Sequence, residues 1–176
     1  IRLCLHQLEN LFDRDRDDEP FFYANREPDG RGKLHHSLEI GIPHVVGRNL
    51  LGAMMAQQRA NIAMDPRALD ILERYCRLSF DTPDHLNAYF DPAADGAPRY
   101  EFHNIREGLY SLVALIALRD SQWARDTGQQ MIHTLAAMTD DAGTWSFELA
   151  NALGMEERVR LYEELAHSDF YFRHFS

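Results

Sequence analysis

Two short polar runs carry most of the groups in this chain able to move a proton or hold a polar ligand. KLHHSLEIGIPHVVGR brings His35, His36, Glu39, His44 and Arg48, and RYEFHNIREG brings Tyr100, Glu101, His103, Asn104, Arg106 and Glu107. Acid/base cleavage of a polar bond needs two carboxylates, one to protonate the leaving oxygen and one opposite it as base or nucleophile. Glu39 and Glu107, one from each run, are the candidates. His35, His36, Arg48, His103 and Arg106 suit hydrogen bonding to a hydroxyl-rich ligand, and Trp145 or Tyr100 suits stacking on a ring. Plain structural roles stand beside these: Arg48 tying a loop to a helix start, Glu107 offsetting a helix dipole, Tyr100 and Trp145 anchoring apolar contacts. Arg106 and Glu107 are neighbours on a helix and point in different directions, so an ion pair between them is not to be assumed.

Other chemistries find no pattern. Adjacent His35 and His36 converge poorly on one ion and no HExxH spacing occurs, so no metal and no cofactor is assigned. The chain has no GxSxG elbow, glycine-rich phosphate loop, CxxC pair or kinase-type signature, which disfavours acyl, nucleotide-dependent and redox chemistry. Its net charge of −10 argues against a phosphate-backbone partner, because nucleic-acid binders cluster Lys and Arg. Nor does any run approach the roughly 20 apolar residues of a membrane span. A soluble chain with no nucleic-acid or membrane partner is expected, the cytoplasm being favoured. Cys4 and Cys76, both in apolar helical patterns, are expected as buried thiols.

Each polar run must be positioned by the helix on its C-terminal side. Residues 45–64 read as an almost wholly apolar helix, and Glu101–Met138 as two antiparallel helices, the first apolar all round and the second amphipathic. Asp65–Pro66 is an N-cap with proline at the first helical position, opening an amphipathic helix to about Phe80. A helix over 1–13 ends at the charge run DRDRDDEP. Phe21–Pro43 and Asp81–Arg99 read as long loops, punctuated by Pro28, Gly30, Gly32, Gly41, Pro83, Pro92 and Gly96. Placing Arg48 on Arg106 repeats the order of polar loop, buried helix and amphipathic helix, a stacked-hairpin pattern. A last helix is expected over 148–166.

Read together, HHSLEIGIPHVVGRNLLGAMM and HNIREGLYSLVALIALRDSQWA resemble the six-hairpin, or α/α-toroid, glycosidases, closest to the β-L-arabinofuranosidase-like group. The resemblance covers roughly residues 20–145. It implies an all-α domain over 1–176 with a carbohydrate cleft at the inner-helix starts. A closed toroid needs more helices than this chain supplies, so an incomplete barrel is expected, with further segments of a longer chain as partners. The chain begins at Ile1, already in helical phase, in keeping with such a piece. That group's zinc-bound cysteine cannot be carried over, since neither polar run contains a cysteine. The expected function is therefore glycoside hydrolysis by Glu39 and Glu107. A toroid sugar epimerase or lyase with His35 or His103 as base is the first alternative, and a non-catalytic helical-repeat binding module the second.

Overall fold

The computed structural model describes residues 1–90, 98–100, 102–139, 141 and 146, and gives the backbone alone for Glu39, Ile40, Arg99, Phe102 and His103. Trp145 and the helix expected over 148–166 lie outside the described residues. The chain opens with helix α1 (Arg2–Leu8) and strand β1 (Phe12–Asp13), followed by a single turn of 3-10 helix at Arg14–Arg16. Strands β2 (Glu19–Arg26) and β3 (Gly32–His36) form a hairpin, and helix α2 (Ser37–Ile40) leads into α3 (Ile42–Ala60) and α4 (Pro66–Ser79). A second hairpin, β4 (Tyr89–Phe90) with β5 (Pro98–Arg99), precedes α5 (Phe102–Arg119) and α6 (Gln122–Ala137). One sheet has the antiparallel order β1-β2-β3, the other pairs β4 with β5.

This corrects the fold expected from the sequence. The described residues are mixed helix and sheet, not an all-α toroid, and the six-hairpin glycosidase expectation loses the architecture on which it rested. The physical reason lies at Pro28-Asp29-Gly30. Proline fixes φ, aspartate hydrogen-bonds the backbone two residues on, and glycine supplies the positive φ, which together make a tight turn. Asp29 Oδ1 accepts from Arg31 N at 3.0 Å, and Gly30 sits at φ 85°. Flanked by Phe21, Phe22 and Tyr23 on one side and by Leu34, His35 and His36 on the other, such a turn makes a hairpin rather than a loop. Likewise, α1 stops at Leu8, and Phe12 and Asp13, expected in the same helix, pair with β2 as β1.

The tandem order survives in altered form: hairpin, apolar helix, amphipathic helix, twice over. Helices α3 and α5 are the central pair, packed side by side along their length. Gly47 and Glu107 are each the sixth residue of their helix. A Cβ added to Gly47 would stand 2.2 Å from the Glu107 carbonyl oxygen, so the two backbones touch there and both helices start at the same end. Asp65 caps α4 by accepting from Arg67 N at 2.8 Å, with Pro66 first in the helix as its sequence requires. Arg119, last in α5, reaches Asp70 and Glu73 on α4, which fixes that pair as antiparallel.

The core is formed by Leu50, Leu72, Leu112, Leu115, Met131 and Met138, with Val46 and Ile42 at the shared helix start. Helix α5 is not apolar-buried all round: Val113 is 54% exposed, and Tyr110 and Ala117 lie on the same open side. Cys4 is exposed, contrary to the expectation of a buried thiol, because α1 turns Leu5 and Leu8 to the core and leaves Cys4 outside it. Cys76 is buried against Ser111, and burial pushes its thiol up to about 12. Among the described residues no helix is long and apolar enough to cross a membrane.

Candidate functional site

The common start of α3 and α5 gathers an unusual density of buried polar side chains. Glu107 is 1% exposed, and its Oε1 takes Arg106 Nη2 at 2.8 Å and Arg48 Nε at 3.4 Å. The Arg106–Glu107 pair departs from what adjacent helix positions predict. It forms because the buried carboxylate has water on no side, and the Arg106 guanidinium can curl back along the helix while remaining 40% exposed. Glu107 Oε2 is buried and has no hydrogen-bond partner among the described residues. A buried acceptor without a partner destabilises by about 1–3 kcal/mol, so such atoms are rare outside sites that receive a ligand or water.

Asn87 and Asn104 complete the polar floor. Asn87 is fully buried and donates from Nδ2 to the Asn104 carbonyl at 2.5 Å, while its Oδ1 has no partner among the described residues. A Cβ on Gly108 would come within 2.4 Å of the Asn87 side chain, so the absence of one is what lets this loop amide lie against α5. Tyr100, at the end of β5, is buried, and burial with a hydrogen bond to Asp84 raises its hydroxyl. It is an anchor, with no ring face presented for stacking. Asn87 and Gly108 are members of this floor that composition and spacing do not single out; the asparagine's burial appears only once the loop is folded onto the helix.

The first polar run divides. A register irregularity between Phe21 and Tyr23 lets consecutive histidines take different surroundings. His35 stacks on Tyr23 with ring centres 4.3 Å apart and planes 12° apart, and its Nε2 lies 3.2 Å from Asn25 Oδ1. His36 instead lies between Asp13, at 2.8 Å from Nε2, and Arg16, at 2.8 Å from Nδ1. Arg16 also binds Glu19, whose other oxygen accepts from Leu38 N in α2. In the sequence, Asp13, Arg16 and Glu19 stand out only as part of a run that ends a helix. Glu39 lies on α2, which packs against the start of α3 and against β4; its side chain, like that of His103, is outside the described residues, so neither is placed in the cluster.

Of the predicted residues, the structure thus brings together Arg48, Arg106 and Glu107, and sends His35 and His36 to the first hairpin. Among the described residues no three His, Cys, Asp or Glu side chains are grouped so as to hold a metal ion. An open cleft of about 550 Å³ lies elsewhere, on the outer side of α4, lined by Arg74, Tyr75, Arg77, Phe80 and Trp123. Its arginines are already matched: Arg77 stacks over Trp123 at 4.2 Å and pairs with Glu73, and Arg74 pairs with Asp17. The polar floor at the helix starts is the stronger candidate because it contains a buried carboxylate oxygen with no hydrogen-bond partner among the described residues. No family model, curated protein or solved structure matches this chain. The site therefore has to be read from its own geometry.

Proposed function

We propose that the rim shared by the starts of α3 and α5 recognises a hydroxyl-rich ligand of the carbohydrate class. Glu107 is the buried acceptor, and Arg48 and Arg106 are the donors beside it. The observation that carries this reading is the asymmetry of Glu107: Oε1 takes both guanidiniums and Oε2 takes nothing. A ligand hydroxyl reaching Oε2 would recover the hydrogen bond that the folded chain leaves unmade. A sugar offers what this arrangement asks for, since each hydroxyl both donates and accepts.

In this reading a ligand reaches Oε2 by displacing Arg48. Its contact at 3.4 Å is at the long limit of a hydrogen bond and its side chain is 58% exposed, so it lifts away at little expense. Arg106 at 2.8 Å then keeps Oε1 in place. The acid/base chemistry expected of Glu107 with Glu39 is an extension of this proposal and depends on a second carboxylate at the same rim.

The test is calorimetric titration with a panel of neutral and acidic oligosaccharides, on the wild type and on Glu107→Gln. The amide keeps the shape and replaces one acceptor by a donor, so binding is expected to weaken about 100-fold, the size of a lost hydrogen bond to a charged group. Binding that is undiminished in Glu107→Gln, or no binding by the wild type to any member, removes the reading. Release of aglycone from aryl glycosides by the wild type and not by Glu107→Gln extends it to catalysis.

A further inference from the structure

We propose that His36 is a proton-operated catch that positions α2, and with it the backbone of Glu39, at the rim. The catch is built from Asp13, Arg16, Glu19 and the Leu38 amide; only its functional consequence rests on the rim reading above.

The ring's protonation state follows from its neighbours. A guanidinium nitrogen can only donate, and an ionised carboxylate can only accept. With Arg16 Nη1 at 2.8 Å, His36 Nδ1 must be bare; with Asp13 Oδ2 at 2.8 Å, Nε2 must carry the hydrogen. The two contacts together select the neutral Nε2–H tautomer. In return, the hydrogen bond from His36 holds the Asp13 carboxyl below its ordinary value of 3.8.

From His36 the chain of contacts runs directly to α2. Arg16 spans from His36, through Nη1, to Glu19 Oε2, which lies 3.1 Å from Nη2. Glu19 is 1% exposed, and its other oxygen accepts from Leu38 N at 2.7 Å. Leu38 is the second residue of α2 and Glu39 the third. The turn that holds Arg16 is itself fixed from behind. Asp17 and Asp18, both left-handed at φ 55° and 56°, are tied to α4 by Arg74 at 3.0 Å and Arg67 at 2.8 Å, and the Tyr75 hydroxyl donates to the Asp17 carbonyl.

Protonation of Nδ1 therefore sets N–H against N–H and an imidazolium against a guanidinium. Asp13 keeps its bond to the ring and Arg16 must turn away. Glu19 buried without its cation is strongly disfavoured, so its carboxylate follows Arg16 toward water and leaves the Leu38 amide without an acceptor. Because the turn is anchored to α4, the displacement falls on α2. Among the described residues, the groups facing His36 include Asp13 from β1, Arg16 from the 3-10 turn and the Phe21 ring from β2, that ring centred 5.0 Å away, with Glu19 behind Arg16. His35, next on β3, is turned to Tyr23 and Asn25.

Nitrogen-resolved NMR of the full chain tests the catch without any ligand. At neutral pH His36 is expected as the Nε2–H tautomer. As the ring titrates, the protection factor of the Leu38 amide should fall about tenfold or more, the size of one lost hydrogen bond to a charged group. The Asp65 amide, which donates to Glu9 Oε1 at 2.7 Å and is remote from the catch in its contacts, should not change over the same range. In His36→Gln, which cannot titrate, Leu38 protection should be independent of pH. An Nδ1–H tautomer at neutral pH, or constant Leu38 protection as the wild-type ring titrates, overturns the proposal, and neither result needs the variant to fold. Failure of oligosaccharide binding would leave both readouts intact, so the catch and the rim reading fail separately.

Discussion

Glu19 and Glu107 have the same side chain and the same burial, 1% exposed each, but they end in different states. Glu19 divides its oxygens, one to Arg16 and one to the Leu38 amide, and stitches the 3-10 turn to α2. Glu107 crowds two guanidiniums onto one oxygen and leaves the other bare. A carboxylate whose two ends are both used holds the fold together. One with an end unused at the meeting point of two helices is held in place with an acceptor to spare, and on that spare acceptor the proposed ligand contact rests.

The contrast can be broken at its support first. Gly47→Ala drives a methyl group to 2.2 Å from the Glu107 main-chain oxygen, and no side chain can relax to make room. Urea denaturation should show a loss of roughly 3 kcal/mol, the upper part of the range for overpacking. A loss under about 1 kcal/mol would mean that the helices separate easily and that Glu107 is not held by backbone contact.

Glu19→Gln comes next, with an expected loss of about 2 kcal/mol, because two hydrogen bonds made by a buried charge are weakened. Glu107→Gln should lose less than about 1 kcal/mol, since its arginines are exposed enough to be solvated again and one oxygen was never satisfied. Equal losses in the two variants would erase the distinction. The smallest effect concerns Asp13, whose carboxyl is depressed by His36. A depressed carboxyl contributes stability that is fully present above its unfolded value and disappears as pH falls through the folded one. Asp13→Asn should therefore lower stability slightly at neutral pH, where that contribution is fully present, and the gap to the wild type should close as pH falls below about 3.8, which flattens the acid limb. A limb as steep as the wild type's would place the acid sensitivity elsewhere.

Much of the helical framework is legible from period and caps. Asp65–Pro66 marks α4 to the residue, and the apolar spacing of α3 and α5 marks the central pair whose starts lie together. Turn chemistry is where the sequence misleads: Pro28-Asp29-Gly30 reads as loop punctuation, although the aromatics before it favour strands. Arg48, Arg106 and Glu107 can be named because helix starts are where such groups accumulate. Asp13, Arg16 and Glu19 cannot, because in a sequence a buried glutamate within DRDRDDEP looks like any solvated acid. Asn87 is invisible for a related reason, since its burial depends on a contact with Gly108 that links a loop to a helix.

The two cysteines offer an experimental handle of a different kind. One sulfur sits in the open on α1, and the other is sealed against Ser111 with its thiol pushed up to about 12. A maleimide dye added to the folded, unmodified chain should therefore attach at a single position. That gives single-molecule and fluorescence work a reporter without first altering any residue of the molecule.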